Sequence, residues 1–195
     1  MPKYKDLNGD GVIDTNDRTM IGRGLPIHTG GFTNNFEYKG FDLSVFFQWS
    51  YGNDVLNANR LFFDSGFQKK RELNQYASYT DRWTPENPNS NIPAATNSSS
   101  NLVISSRVVE DASFLRLKTV TLGYTVPKTF LKKYKIDNAR LYVAAQNLWT
   151  ITGYSGYDPE VSIRSGGLTP GLDFSSYPRA LSVLSLIHIS EPTRH

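Results

Sequence analysis

The chain has 195 residues, a formal net charge of +3 and no cysteine. That length makes one domain or a large piece of one, while the missing thiols exclude a disulfide framework and a thiolate zinc site. A balance this mild, with no dense basic run beyond Lys132-Lys133, points away from nucleic acid, and no apolar run reaches the roughly 18 residues of a transmembrane helix.

The mean hydropathy of −0.42 does not exclude a membrane β-barrel, whose strands are apolar only at alternate residues. Aromatic residues make up 13% of the chain, above what a small soluble domain usually needs. Met1-Pro2-Lys3-Tyr4-Lys5 runs straight into an acidic stretch with no leader-like segment. The chain is therefore expected to be either cytoplasmic or a fragment.

That acidic stretch is DLNGDGVIDTND, with oxygen side chains at alternate positions and a glycine after the third. This is the spacing of a calcium loop. Asp6, Asn8 and Asp10 fill places 1, 3 and 5, and Gly11 allows the sharp turn at place 6. The Val12 carbonyl falls at place 7, Asp14 at place 9 and Asp17 at place 12. Calcium is a hard cation that takes several oxygens, and four crowded carboxylates repel one another without one. An EF-hand is a poor fit: place 12 is Asp rather than Glu, and Gly22, Gly24 and Pro26 cut short any following helix. The loop also resembles a dockerin calcium repeat, which tolerates Asp there, but dockerins carry two copies and this chain has one. The other reading is an Asx-rich turn whose side chains satisfy the backbone without metal. Both stay open at this point.

From Phe41 to Tyr51 every odd position is apolar or aromatic, and four of the five even positions are polar. A two-residue period is a β-strand with one apolar face. Phe32, Phe36 and Tyr38 alternate with polar residues just upstream, and Lys39-Gly40 between the runs is a two-residue turn signal. An antiparallel hairpin is expected over 30–38 and 41–51. A polar link of about sixty residues follows, with Asn, Ser and Pro crowding Thr84 to Asn101. A strand is expected over 112–126, its parity faltering at Lys118-Thr119, where a bulge would account for it. It stops at Pro127. Another strand is expected over 140–152, with Leu141, Val143 and Ala145 facing away from Tyr142 and Gln146.

A sixty-residue connection is unusual in a compact soluble domain. Long connections at one end and tight turns at the other are the habit of outer-membrane barrels. The stripe Phe41–Tyr51, with a Phe at one end and Trp49 and Tyr51 at the other, suits a lipid-facing strand, since amphipathic rings settle at the headgroup level.

Five segments taken together resemble the C-terminal part of the SusC/RagA family of TonB-dependent outer-membrane transporters. They are DLNGDGVIDTNDRTMIG, FEYKGFDLSVFFQWSYGND, DRWTPENPNSNIP, ASFLRLKTVTLGYTVP, and RLYVAAQNLWTITGYSGYDPEV followed by SYPRA. The resemblance implies an all-β fold: antiparallel strands forming the C-terminal part of a twenty-two-stranded transmembrane β-barrel, incomplete here, with long external loops. It implies residence in the outer membrane in contact with lipid, import of oligosaccharides or peptides, a SusD-like lipoprotein as external cap, and energy from TonB through an N-terminal region missing here. On this topology 1–29 is an external loop with the calcium-type motif, 30–51 a barrel hairpin and 52–111 a long external loop. Residues 112–152 are a strand pair, and 153–180 an external loop with the start of a last strand.

The final run, LSLIHISEPTRH, resembles translated sequencing-adapter read-through, so 181–195 is expected to be a non-native tail, with the last strand lost; the other reading is a native tail in exposed coil. His188 and His195 are then poor candidates for any site. A partial barrel leaves open edges, and the isolated chain is expected to be inactive and unstable.

Within 52–111, Phe62, Phe63, Phe67, Tyr76, Tyr79 and Trp83 accompany Asp64, Asp81, Arg82 and Glu86. They could stack on sugar rings, or pack the loop on itself or on a cap; the second reading is favoured. Asp42, Ser44, Gln48, Arg116 and Lys118 are expected polar lining of the lumen, and Gln146 and Asn147 are expected to be structural. No nucleophile elbow, HExxH or P-loop occurs, and no enzyme is expected. The alternative to a transporter is a secreted, calcium-stapled β-sandwich that binds carbohydrate or protein. In that fold the Phe41–Tyr51 stripe is buried against a second sheet.

Overall fold

The computed structural model describes residues 4–66, 74–97, 102–163 and 170–190. Its strands are β1 (His28–Tyr38), β2 (Phe41–Tyr51), β3 (Asp54–Asn57), β4 (Val109–Asp111), β5 (Phe114–Thr125), β6 (Asn138–Thr152), β7 (Leu172–Asp173) and β8 (Ser182–Ser190). Two short helices, α1 (Ala58–Phe63) and α2 (Lys128–Leu131), join them. The chain divides into two compact units. One comprises Ile27–Tyr51, Ser113–Gly153 and Pro178–His195; the other comprises Met1–Pro26, Gly52–Ala112 and Tyr154–Tyr177.

The first unit is one antiparallel sheet in the order β1-β2-β5-β6-β8. The β1–β2 turn is tight because Lys39 and Gly40 both take positive φ, 47° and 87°. Such a turn twists in the same sense as the strands it joins. Pairing runs from Tyr38 opposite Phe41 to His28 opposite Tyr51. Alternation then sorts the side chains. Phe36, Leu43, Leu122 and Val143 lie in one row across four strands, and Phe32, Phe47, Leu117 and Trp149 in another. Asn35, Ser44, Thr121 and Ala144 form a row on the opposite face.

The break in parity at Lys118 has a structural cause. Against β2, Phe46 pairs with Thr119 and Phe47 with Leu117, so Lys118 has no opposite number. Before it the apolar face takes Leu115 and Leu117; after it, Val120, Leu122 and Tyr124. One surplus residue converts odd parity to even and keeps both halves of β5 apolar on one side. On β6 the step from Gln146 to Trp149 opposes that from Thr119 to Leu117, and Asn147 turns there with φ 54°.

The apolar face is not covered as a sandwich face would be. Leu122 is 49% exposed, Val143 47% and Trp149 58%. A β-sandwich buries such residues between two sheets, so the sandwich alternative does not describe this chain.

The exposed-coil reading of the run after Ala180 is corrected. Ser182–Ser190 forms β8 and pairs along β6, from Gln146 opposite Ser182 to Asn138 opposite Ser190. Its sidedness differs from the other strands: Leu184 and Leu186 share a face with Ala144 and Tyr142, while Val183 and Ile187 lie on the other. An open edge asks only for backbone donors and acceptors, so a strand without clean alternation can add to it.

The second unit has a three-stranded sheet, β4-β3-β7, with β3 antiparallel to β4 and parallel to β7. Val55, Ala112 and Tyr154 form its buried apolar cluster. The long polar connection thus has structure of its own: β3, α1, β4 and several 3-10 turns. Asn57 caps α1 by accepting from the Arg60 amide at 3.3 Å.

Gly40→Ala is expected to destabilise the sheet by about 1–2 kcal/mol, the cost of a left-handed Cβ, and the new Cβ would lie 2.9 Å from the Thr125 carbonyl. Lys39→Gly should instead be neutral or stabilising, since it relieves positive φ at the same turn. Equilibrium urea unfolding in detergent would read the two opposite signs.

Candidate external surface and polar face of the sheet

The calcium-type loop is closed by its own side chains. Asp6 accepts from the amides of Gly9 at 2.6 Å and Gly11 at 2.8 Å, one on each carboxylate oxygen. Asn8 accepts from Asp10, Asp10 from Val12 and Asp14 from Asn16. Asp17 reaches back across the loop, accepting from the Leu7 amide at 2.7 Å and the Asp14 amide at 2.8 Å. Gly9 and Gly11 supply the positive φ values, 78° and 79°, that the reversal needs. The amides of Asp14 and Leu7, and then Asn8, hold the Asp17 carboxyl below the usual carboxylate range.

These contacts bear on metal fit in two ways. The donor set of Asp6, Asn8, Asp10, Asp14 and Asp17 with the Val12 carbonyl is all oxygen and matches a hard cation. Each carboxylate is also engaged by backbone amides, and among the described residues no three acidic, histidine or cysteine groups stand close enough to hold an ion. A carboxylate oxygen has a second lone pair, so amide bonds and a cation are compatible on one group.

The same unit has a polar interior. Asp64 has no exposed side-chain surface and receives Arg60 at 3.4 Å and the Ser78 hydroxyl at 2.8 Å. Arg60 also reaches Glu110 at 3.3 Å. Glu110 accepts from the Ser155 amide and hydroxyl, both at 2.9 Å, and from Asn57 at 3.1 Å. Burial pushes the Glu110 carboxyl up, but the Ser155 bonds and the Arg60 guanidinium outweigh it and hold the group below its usual range. The Tyr154 hydroxyl donates to Asp173 at 2.7 Å. Burial, that bond to Asp173 and the surrounding acids push the Tyr154 phenol far up, so it stays protonated.

The loop aromatics mostly pack within their unit. Phe62 lies 5.2 Å from Phe174 and Phe63 5.4 Å from Tyr76, centroid to centroid. The Arg82 guanidinium sits over Tyr79 at 5.2 Å. Trp83 is 42% exposed. Phe67 lies outside the described residues. Asp81 accepts on its carbonyl from Asn87 and Ser90, which folds the 81–90 turn. The described aromatics therefore do not converge on one platform.

On the sheet, Asp42, Ser44, Gln48 and Arg116 share the polar face, while Lys118 is the bulge residue. Arg116 is only 3% exposed and stacks on Phe114 at 5.3 Å. Arg140 on β6 pairs with Asp42 on β2 across the intervening β5. Gly123 lies between them, opposite Asp42, and a Cβ there would meet the Asp42 carboxylate at 2.5 Å. The missing side chain is what lets the pair close. Asn147 donates to the Ala180 carbonyl at 2.9 Å, a structural contact in line with its place at the bulge. The Arg140–Asp42 bridge and the Gly123 gap escaped the sequence reading, which had only a glycine within an alternating strand as a signal.

No family model matches the chain. It is 40% identical over 180 residues to TonB-dependent receptor P3 of Formosa agariphila, a match covering 90% of this chain and 17% of that protein. TonB-dependent receptor SusC of Bacteroides thetaiotaomicron is 29% identical over 182 residues, covering 93% of this chain and 17% of SusC. Among solved structures, the RagAB peptide transporter superposes with a TM-score of 0.76 at 28% identity, over 91% of this chain and 19% of that one. The RagAB peptide importer in its open-open state gives 0.77 at 28% identity, over 96% and 20%. The chain spans less than a fifth of the length of these curated relatives.

Glu110 gives the loop unit a pH dependence of definite sign. Its folded carboxyl is depressed, so its stabilisation is present above the ordinary value of 4.5 and is lost as pH falls through the lower, folded value. Protection of the Ser155 amide against hydrogen exchange, taken relative to the intrinsic rate at each pH, should fall on acidification in that range. Glu110→Gln should abolish the dependence and raise the exchange rate at neutral pH.

Proposed function

We propose that this chain, which resembles the SusC/RagA family of TonB-dependent receptors over nine-tenths of its length, supplies the C-terminal strands, external loops and part of the lumen wall of a twenty-two-stranded outer-membrane barrel. The observation that carries the reading is a five-stranded antiparallel sheet with one uncovered apolar face. Every long connection joins it at one end. In register, β1 begins, β2 ends, β5 begins and β6 ends at that end, while the other end has the two-residue turn and the 126–137 link. Barrels put long loops outside and short turns in the periplasm.

Dimensions support it. From Phe41 to Tyr51 a strand advances roughly 33 Å, or about 25 Å along the membrane normal once tilted by some 40°. That is the height of the apolar band of such barrels. His28 stacks on Tyr51 at 5.1 Å beside Trp49 at one limit, and Phe41 lies against Tyr124 at 4.5 Å at the other.

In the whole protein we assign the loop unit to the outer face, where a SusD-like lipoprotein would cap it. The cargo would be oligosaccharide or peptide, with energy from TonB through a region outside this chain. The peptide alternative draws on RagAB, described as a peptide transporter. Calcium at Asp6, Asn8, Asp10, Val12, Asp14 and Asp17 would brace one external loop. Its carboxylates would then exchange mutual repulsion for a shared cation. Calorimetric titration of the whole barrel with calcium should give heat that Asp10→Ala removes; equal heats in both would remove the brace.

Single-cysteine scanning tests the barrel, since the chain has no cysteine of its own. Leu122→Cys and Val143→Cys should be shielded from a water-soluble maleimide in membranes, and Thr121→Cys should react from the lumen. Uniform labelling of all three would overturn the barrel reading. Val120→Arg, opposite Val45 near the middle of the Phe41–Tyr51 span, should cost about 2–4 kcal/mol and Thr121→Arg far less, read as a drop in the temperature at which the compact gel band is lost.

A further inference from the structure

The turn end of the sheet carries more than the tight connections a barrel needs. In register, Tyr38, Phe41, Tyr124 and Leu141 make one row across four strands of the apolar face. Three of the four are aromatic. Beyond this row come two turns, Lys39-Gly40 and the link Val126 to Asn138. The link contains Lys128, Lys132, Lys133 and Lys135 against one acid, Asp137. With Lys39 that is five lysines to one aspartate, and Asp137 is already met by Lys128 at 3.9 Å. Glu37 is opposite Asp42, on the polar side of the sheet, and Asp42 is held by Arg140.

The link is folded, so these charges have fixed places. Pro127 precedes α2 as its N-cap, Leu131 is buried, and Lys135 takes φ 57° to reverse the chain, with the Ile136 amide returning to the Leu131 carbonyl at 3.3 Å. Packing Leu131 inward turns Phe130 and Tyr134 outward, 67% and 68% exposed. Tyr38 is 69% exposed. The rings carry lysines: Lys39 lies 5.1 Å from the Tyr38 centroid and Lys133 5.9 Å from that of Tyr134. Large rings left in water are unfavourable, and so is a crowd of like charges. Both are relieved at the boundary of a bilayer, where rings sit among headgroups and ammonium groups meet phosphate.

We propose that this end, formed by Tyr38, Lys39, Phe130, Lys132, Lys133, Tyr134 and Lys135, is a binding surface for anionic phospholipid headgroups in the membrane that the sheet spans. The proposal rests on the outer-membrane reading above and adds a lipid preference to it. The aromatic row sets the depth of the sheet, and the lysines select the charge of the lipids around it.

The test uses the complete transporter carrying this segment, reconstituted in vesicles of equal phosphatidylglycerol and phosphatidylcholine. An environment-sensitive fluorophore at Phe130→Cys, in an otherwise cysteine-free background, is quenched by bromine on the acyl chains of one lipid or the other. Brominated phosphatidylglycerol should quench more, with an enrichment of about fivefold or greater. The triple change Lys132→Gln, Lys133→Gln, Lys135→Gln should return the ratio to one, and high salt should lower it. Equal quenching by both lipids in the unmodified protein would overturn the lipid preference and leave the barrel reading standing. Quenching by neither would put Phe130 outside the membrane and overturn both.

Discussion

At Lys118, β5 carries one residue that β2 does not oppose, and that surplus decides which side of the sheet every later side chain meets. The side-chain period of a strand is two, so a slip of one residue would exchange Val120, Leu122 and Tyr124 for Thr119, Thr121 and Gly123. A polar set would then join the uncovered apolar face, and an apolar set the polar one. The ladder alone cannot prevent this, because backbone donors and acceptors pair equally well in either register. The bulge is what makes both halves of β5 consistent with β2, whose odd positions are all apolar or aromatic from Phe41 to Tyr51. Asn147, with φ 54° on β6, accommodates the same dislocation from the other side.

The second unit is held by different means. Beside Val55, Leu61, Ile92, Val108 and Tyr154, its described interior is populated by Asn57, Asn59, Asp64, Asp158 and Asp173. Buried groups of this kind stabilise only when partnered. Two acids, Asp64 and Glu110, share the Arg60 guanidinium, and Ser78, Ser155 and Asn57 supply further donors. Breaking one member leaves a buried charge behind, so the network constrains shape more than it contributes to net stability. For a long connection, that is a route to definite form.

The sheet was legible in the sequence because it has one uncovered face. Alternation in Phe41–Tyr51, the Lys39-Gly40 turn and the parity break at Lys118-Thr119 each have a single physical meaning, and each appears where it was read. The loop unit was not legible. β3 has four residues, β4 three and β7 two, too few to display a period, and β7 pairs with β3 from more than a hundred positions away. Its polar interior also looks like surface when read as composition. The calcium-type loop was visible as a spacing, and the structure adds that each of its acids caps backbone amides. Family resemblance found the order of the segments, but not the bridge from Asp42 to Arg140 over Gly123, which depends on three strands being adjacent.

β8 shows where sequence pattern stops governing structure. Its residues do not alternate cleanly, and its side chains are exposed along nearly the whole strand. What it answers is the free edge of β6, a row of amides and carbonyls with fixed spacing. Pairing there satisfies backbone groups whatever the side chains are, whereas the register of β1, β2, β5 and β6 is chosen by their side chains. The same sheet therefore holds two kinds of strand. In four of them, the apolar alternation of one face and the positions of glycine and bulge agree on a single alignment. In the fifth, the edge supplies the alignment, and Leu184 and Leu186 face the polar side beside Ala144 and Tyr142 because the ladder puts them there.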